Sequence, residues 1–521
     1  MIKRKLSLKR GLAFITATFI IVLVTGVFRV YAREGDSGYE GGISSGEAPG
    51  KTSFEYKEVC FITGEPIVFE GTLTIRKTLR QDKTTGKNVI TANYTYNLRN
   101  LEKDATLTRV LSYTTTLTEK ENGQVIEETG FGGRCTEVVR IGSTTYTLEN
   151  YDFTKTNIKD KKPAVDYFAG NLWGKKTYRT GTGANSGEVT VEISGDYYGY
   201  NQIWGTVEAQ VLNYVIESQK RSGEVLDRWG GTATVSISST TTKKIDYVEN
   251  KPDVISFEGG FVESQYNNSI LQYTAKLPEF DHQGVSTDRM VETKGSLMIE
   301  SFPTSRRLLV PELSYLRGHW AENDIKALYS LEIFKENPSG FNPQEVMTRA
   351  EFTEAIVLAA GEVPKDPLLV ESRTTKKTSN TKEEITSPFI DVPTGSKYFE
   401  SINNAYKRGM ISGRGDGTFA PDDYLTTADA ITILVKALGL EGLAPSNGAV
   451  TVFRDSDDIP RYAKGPVYVA HRIGLVMGDD KGYLRPNEYL TKARAAVIIN
   501  NFIDYMRNDL RKDYRERIVN Y

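Results

Sequence analysis

The sequence predicts a two-part chain: an all-β N-terminal region, antiparallel and internally duplicated, followed by an all-α region built from a helical repeat. Two observations carry this. Apolar residues alternate with period two through much of 51–303, as in Ile90-Thr91-Ala92-Asn93-Tyr94-Thr95-Tyr96-Asn97-Leu98 and Phe69-Glu70-Gly71-Thr72-Leu73-Thr74-Ile75. After that, one helix–loop–helix pattern returns three times between 309 and 506. At 521 residues the chain is long enough for several domains with cores of their own.

The N-terminus carries Lys3, Arg4, Lys5, Lys9 and Arg10 ahead of an apolar run from Gly11 to Phe28, and Val30-Tyr31-Ala32 has the small-x-small form of a cleavage site. This is the pattern of a secretory signal peptide over 1–32, cleaved after Ala32. A retained anchor is the alternative, because the run nears the length of about 18 residues that spans a membrane. No later segment is long and apolar enough to span, so no membrane span is expected after cleavage. Residues 33–50, rich in Gly, Ser and Glu, read as a flexible leader. Export makes Cys60 and Cys135, the two cysteines of the chain, a disulfide candidate. Such a bond would close a loop of roughly 75 residues and contribute on the order of 4 kcal/mol. Two unbonded thiols are the alternative.

Residues 51–303 read as a β-rich domain. Asn122-Gly123 marks a hairpin, because Asn-Gly accepts the positive φ angles of a type I′ turn, and Arg221-Ser222-Gly223-Glu224 is its counterpart. Each hairpin has a tyrosine before it (Tyr113, Tyr214), a Gly-Gly pair after it (Gly132-Gly133, Gly230-Gly231) and then a Ser/Thr cluster. These surroundings point to a decayed duplication with units near 65–165 and 185–255. Long alternating strands predict a sandwich, an open barrel or two stacked units. Tyr197-Tyr198-Gly199-Tyr200 and Trp204 are either sheet core or an exposed sugar-stacking platform, core being the commoner fate.

Composition excludes some functions. Lys+Arg total 65 against 67 for Asp+Glu, so no basic field argues for nucleic acid. Three histidines argue against a His-based metal or acid–base site, and no metal or cofactor is expected. Within 51–303, nucleophile-elbow, zincin and phosphate-loop motifs are absent. Asp and Glu are scattered, and the ordinary reading of each is a solvated strand face or turn, although a glycosidase pair could be built from two of them.

In the C-terminal part each copy has a first helix, a turn, an aromatic- or Leu-x-Pro loop and a second helix. The second helices open at Leu- or Met-Thr: Met347-Thr348-Arg349-Ala350-Glu351, Leu425-Thr426-Thr427-Ala428-Asp429 and Leu490-Thr491-Lys492-Ala493-Arg494. The loops before them are Phe341-Asn342-Pro343, Phe419-Ala420-Pro421 and Leu484-Arg485-Pro486. Trp320 opens the first helix of copy one, with Ile325, Leu328 and Leu331 on its core face; Ile402, Ala405 and Tyr406, then Val467 and Ala470, correspond. Thr348 and Glu351 have the spacing of a capping box. Arg349 has no such reason to be there. A cation in the first turn opposes the helix dipole, and its planar fork suits a carboxylate. A structural salt bridge is the alternative. Asp391 and Asp455 sit just ahead of helices, where a carboxylate accepts from free N–H groups, and capping stands beside ligand contact for both.

These residues resemble the S-layer homology (SLH) family, whose copies run aromatic-x-Asp, then Trp or Tyr opening a helix, Gly-Ile-x-x-Gly, Phe-x-Pro and Ile/Leu-Thr-Arg-Ala-Glu. The copies would cover 309–361, 387–440 and 450–506. The resemblance implies a pseudo-threefold SLH trimer binding an anionic, pyruvylated secondary cell-wall polysaccharide in grooves between neighbouring copies. It nominates Arg349, Glu351, Thr348, Trp320, Asp391, Asp455, Tyr462 and Lys492 as ligand contacts. The copies depart from the family. Copy one has Leu331-Glu332-Ile333-Phe334-Lys335 in place of Gly-Ile-x-x-Gly, copy two has Thr427 for Arg and Asp429 for Glu, and copy three has Lys492 for Arg and Arg494 for Glu. One good site is therefore expected, a second using Lys492, and one dead groove. The polar stretch 364–387 reads as a mobile insertion and 507–521 as a solvated charged tail. Arg414-Gly415-Asp416 is an adhesion-type tripeptide, but it fills the family's Gly-rich turn.

The expected protein is secreted and cell-wall or S-layer located, its β domain non-catalytic and open to self-association in a surface layer. An SLH-anchored enzyme acting on glycans is the alternative. A third reading, an outer-membrane barrel, is disfavoured because the strands show no lipid-facing apolar band.

Overall fold

A computed structural model of the chain describes residues 41–45, 51–222, 225–249, 259–363, 366, 368–371, 386–446 and 448–514. The predicted signal peptide, the leader apart from 41–45, the Gly223-Glu224 turn, most of the polar insertion and the end of the charged tail lie outside them. The β region is one antiparallel meander that curls into a nearly closed, barrel-like fold. Its strands are β1 (Ile43–Ser44), β2 (Ser53–Cys60), β3 (Ile67–Gln81), β4 (Asn88–Asn100), β5 (Ala105–Glu119), β6 (Gln124–Ile141), β7 (Thr144–Lys161), β8 (Asp166–Thr180), β9 (Gly187–Gln202), β10 (Gly205–Ser222), β11 (Val225–Val248), β12 (Gly260–Phe280) and β13 (Ser286–Glu300). Each pairs with the next in sequence, and β14 (Thr304–Leu309) pairs with β12. Hairpin connections between neighbours are why period-two alternation was readable: Tyr94, Tyr96 and Leu98 face a closed interior, while Asn93 and Asn97 face out. Ring pairs cross that interior, Phe61 meeting Tyr214 and Tyr273 at 5.4 and 6.0 Å. The outward positions Thr72, Arg76, Asn93, Asn97, Thr106 and Thr108 are polar.

Within the interior lies a buried charge network. Arg109 donates through Nη1 and Nη2 to Glu58 at 2.9 and 2.8 Å and through Nε to Glu137 at 2.8 Å. Lys176 also pairs with Glu137, and the Tyr178 hydroxyl donates to it at 2.8 Å. Burial would raise the Glu137 carboxyl, but the Arg109 and Lys176 charges overcome it and hold it down at about 2.

The disulfide expectation is corrected here: Cys60 and Cys135 are not bonded to each other. They belong to β2 and β6, with three strands between them in the sheet, and two residues along those strands the gap is filled by the Glu58–Arg109–Glu137 chain. Burial pushes the Cys60 thiol up to about 12. The Asn122-Gly123 turn also differs from expectation. Only Gly123 takes positive φ (83°), Lys120 N–H bonds the Gln124 carbonyl at 2.8 Å, and Asn122 instead accepts from Gln124 N–H through its side chain. A three-residue loop with glycine last needs left-handed backbone at one position, not two. Gly132-Gly133 forms a bulge in β6 with Gly133 at φ 84°, whereas Gly230-Gly231 lies in regular pairing with β10.

The helices are α1 (Glu322–Ser330), α2 (Arg349–Ala360), α3 (Phe399–Lys407), α4 (Thr427–Leu438), α5 (Lys464–Arg472) and α6 (Lys492–Asp504), with a π-helical turn (Tyr505–Asp509) and α7 (Leu510–Asp513) after them. Three helix pairs follow a pseudo-threefold pattern: α2 packs on α3, α4 on α5 and α6 on α1. At the axis, backbone hydrogen bonds close a ring: Met347 N–H to Leu490 O (2.8 Å), Leu490 N–H to Leu425 O (2.8 Å) and Leu425 N–H to Met347 O (3.1 Å).

The two regions share a core. The β7–β8 and β9–β10 hairpins insert Ala164, Val165 and Trp204 from their loops, and Tyr167 and Tyr200 from the adjoining strand ends, among the helix side chains. The last carbonyls of a helix lack intrahelical donors, and the β region supplies them: Trp204 Nε1–H reaches Ala359 O at 2.8 Å and Ala164 N–H reaches Ala437 O at 2.8 Å. Gly361 (φ 58°) and Gly439 (φ 68°) end α2 and α4 where side chains of Ile203 and Lys162 press close, leaving no room for a Cβ. The tyrosine cluster and Trp204 are thus core, not a sugar platform. The tail is likewise not a solvated extension up to Tyr514: Met506, Leu510 and Tyr514 are buried, and Tyr514 stacks on Tyr167 at 5.6 Å. Within the polar insertion, β15 (Leu369–Glu371) adds a parallel strand to β3, and Lys77 pairs with Asp366 at 2.7 Å.

Candidate functional site

The grooves that the resemblance implies would lie at the N-terminal ends of α2, α4 and α6; the C-terminal ends of α2 and α4 dock on the β region. Each of these helices starts against the next copy's proline loop. Arg349 N–H bonds Asp423 O, Thr427 N–H bonds Glu488 O and Lys492 N–H bonds Glu345 O, at 2.9, 3.0 and 2.8 Å. The next residue in each helix bonds Pro421, Pro486 or Pro343 O at 3.0 Å. Two orphan donors per helix are satisfied by a neighbouring copy, which fixes the seams at which the grooves form. The capping boxes hold in α2, where Glu351 N–H reaches Thr348 Oγ1 at 3.2 Å, and in α4 through Thr426 and Asp429. In α6, Thr491 caps, but Arg494 supplies no reciprocal carboxylate.

Three positions recur around each groove: the residue after the capping threonine, the acid two further on in the next copy's helix, and the residue just ahead of the third copy's first helix. In the first groove these are Arg349, Asp429 and Tyr462. Arg349 lies over the Phe419 ring at 4.9 Å and donates through Nε to the Phe419 carbonyl at 3.0 Å. Among the described residues its two terminal nitrogens have no partner in the chain. Burial lowers the guanidinium from its ordinary value, opposed by the nearby Asp429 charge, and it stays a cation. Tyr462 is 56% exposed and donates to Asp429 at 2.7 Å; burial and that hydrogen bond push its phenol up to about 12. The groove offers a half-buried guanidinium fork with an aromatic face nearby, a combination suited to an acidic sugar.

The second groove differs. Lys492 is in the arginine slot, over the Phe341 ring at 5.9 Å, but it is 4% exposed and bonded to Glu336 and Glu345 at 2.7 and 2.8 Å, with Glu351 at 4.0 Å. Burial would lower the ammonium, yet these bonds raise it above its ordinary value. Lys397 stands here where Trp320 and Tyr462 stand in the other copies. In the third groove the arginine slot is Thr427, buried and bonded to Glu488 O, and the acid slot is Arg494, which pairs with Glu488 at 3.2 Å. Trp320 is exposed and stacks on His319 at 5.6 Å.

The side chains of Asp391 and Asp455 do not cap the helices that follow them. Asp391 accepts from Phe419 and Ala420 N–H at 2.8 and 2.7 Å, and Asp455 from Leu484 and Arg485 N–H at 2.9 and 2.7 Å. Each clamps its own copy's proline loop, where Ala420 and Arg485 hold left-handed φ of 57° and 58°. Copy one lacks the aspartate, and Asn342 does not take that conformation. Tyr406 lies at a rim against Phe389 rather than in the core. Asp416 of the Arg-Gly-Asp turn stays exposed and accepts from the Thr418 N–H and hydroxyl, and Arg414 pairs with Asp423. Sequence reasoning missed Asp429, Phe419, Glu336 and Lys397. Phe419 was legible as the aromatic of Phe-x-Pro, but nothing local marks it as the floor beneath Arg349.

The S-layer homology domain model matches residues 316–353, 388–431 and 452–496. The chain is 28% identical over 217 residues to Exoglucanase XynX of Acetivibrio thermocellus, covering 41% of this chain and 18% of that protein. It is 27% identical over 194 residues to the Surface-layer 125 kDa protein of Lysinibacillus sphaericus (36% and 14%). To S-layer protein EA1 of Bacillus anthracis it is 31% identical over 114 residues (21% and 12%). The chain thus matches less than a fifth of the length of each of these relatives. The C-terminal part of the chain carries three S-layer homology domains, and with them the chain is a surface-anchored protein of the cell wall or surface layer.

Proposed function

We propose that this protein is held non-covalently on an anionic, pyruvylated secondary cell-wall polysaccharide through the first groove, and that its β region is a non-catalytic, structural element of the surface. The observation that carries the reading is Arg349: anchored through Nε and the Phe419 ring, it presents two unspent nitrogens beside Tyr462. A ketal carboxylate would pair with that fork while the sugar ring lies against the phenol; Thr348 and Glu351 act by fixing the helix start. The relatives named as surface-layer proteins support self-association in a surface layer. In the β interior, Glu58 and Glu137 are committed to Arg109 and Lys176, and Glu137, held ionised down to about pH 2, has no proton to give as a general acid.

The full chain should sediment with purified wall sacculi and should fail to do so after hydrofluoric acid strips the secondary polymer, or when Arg349 is replaced by Ala. Binding indifferent to both changes would refute the anchor. Release of reducing ends from wall glycan by the purified chain would refute the non-catalytic assignment.

A further inference from the structure

The second groove keeps the framework of the first. Lys492 follows its capping threonine as Arg349 does and lies over Phe341 as Arg349 lies over Phe419. Its helix start is bonded to Glu345 and Pro343 carbonyls as that of α2 is to Asp423 and Pro421. What differs is the occupant. After α3 and α5 the chain turns through Gly409 and Gly474, four residues before Gly413 and Gly478. In copy one Glu332 stands at the first position, with the same left-handed turn (φ 57° against 76° and 77°), and Glu336 stands at the second. In copies two and three that second glycine packs against Phe389 or Phe453, with no room for a side chain; copy one lacks this aromatic. Instead the Glu336 carboxylate extends to Lys492 Nζ at 2.7 Å, with Glu345 beside it at 2.8 Å. The Tyr329 hydroxyl, on a residue more than nine-tenths buried, has no hydrogen-bond partner among the described residues, and its ring packs on the same Phe341 at 5.6 Å.

We infer that the second groove is a latent anion site occupied by the protein's own carboxylate. Glu336 sits on Lys492, the counterpart of Arg349, which in the first groove is open to the acidic group of a wall saccharide, so two departures from the repeat pattern, Glu336 and Lys492, are one coupled feature. The ligand class is the acidic saccharide of the first groove, and the inference rests on that reading. A buried ammonium bonded to two carboxylates is satisfied, and an incoming acid must displace one of them from a site with fixed geometry. The intact chain therefore binds through one groove.

The test is a rescue in the full chain, read by co-sedimentation with sacculi that retain their secondary polymer, against stripped sacculi. Arg349→Ala alone is expected to lose binding at least tenfold. Adding Glu336→Gly, the residue type of the other two copies, is expected to restore at least tenfold of it, and adding Lys492→Ala to that double variant to abolish it again. Glu336→Ala serves as a second opening variant, and an unchanged melting temperature certifies the fold of each. Loss with Arg349→Ala that neither opening variant rescues overturns the latent site and leaves the first groove as the anchor. Undiminished binding by Arg349→Ala overturns the reading on which the inference rests, and the inference with it.

Discussion

At the scale of single residues, the first groove separates charge from geometry. Arg349 and Lys492 are both cations one residue past a capping threonine, yet one is open and the other is fully engaged. Arg349→Lys keeps the charge but loses the fork, and with it simultaneous bonding to the Phe419 carbonyl and to a ligand. It should weaken binding to sacculi about tenfold, close to the effect of Ala, in a co-sedimentation titration. The thiols make the converse point. Two cysteines in an exported chain suggested a bond, but pairing depends on where two strands lie in a curled sheet, and sequence carries no signal for that.

At the scale of elements, the proline loops and turns show how a repeat tolerates loss. Asp391 supplies two charge-assisted hydrogen bonds to a loop held in left-handed backbone at Ala420. Asp391→Ala should destabilise the chain by about 2 kcal/mol, measured as a shift in denaturant midpoint at constant slope. Glu332 bears left-handed strain that Gly409 and Gly474 avoid. Glu332→Gly should raise stability by roughly 0.5–1 kcal/mol, because relief of the Cβ clash outweighs the added freedom of the unfolded chain; a fall in melting temperature would contradict this. The capping boxes were legible in sequence because every partner lies within three residues. The role of the aspartates was not, because their partners lie 28 to 30 residues away.

At the scale of the whole molecule, two buried arrangements hold the parts together. Replacing Arg109 by Met leaves Glu58 and Glu137 buried with too little positive charge and should cost about 3–5 kcal/mol in denaturant unfolding. The same network sets an acid dependence. The Glu137 carboxyl titrates near 4.5 when unfolded and about 2 when folded, so its contribution is complete above pH 4.5 and is lost as pH falls from there toward 2. Unfolding midpoints followed across that range should decline in the native chain, and the decline should flatten in Glu137→Gln. Trp204 joins the two regions, its ring in the shared core and its N–H on the end of α2. Trp204→Ala should cost about 3–5 kcal/mol and split a single thermal transition into two.

The sequence by itself determined what depends on neighbours a few residues apart: strand faces from alternation, helix faces and caps from short spacings, and three S-layer homology copies from a repeated pattern. Tertiary structure alone decided which of the two groove cations is engaged, that the two cysteines are not bonded to each other, that the aspartates clamp loops, and that the tail and the tyrosine cluster are core. Each of these turns on side chains brought together from separate copies or strands. Lys492 is bonded to Glu336, 156 residues away, and such a meeting is fixed by packing around the threefold axis rather than by any local pattern.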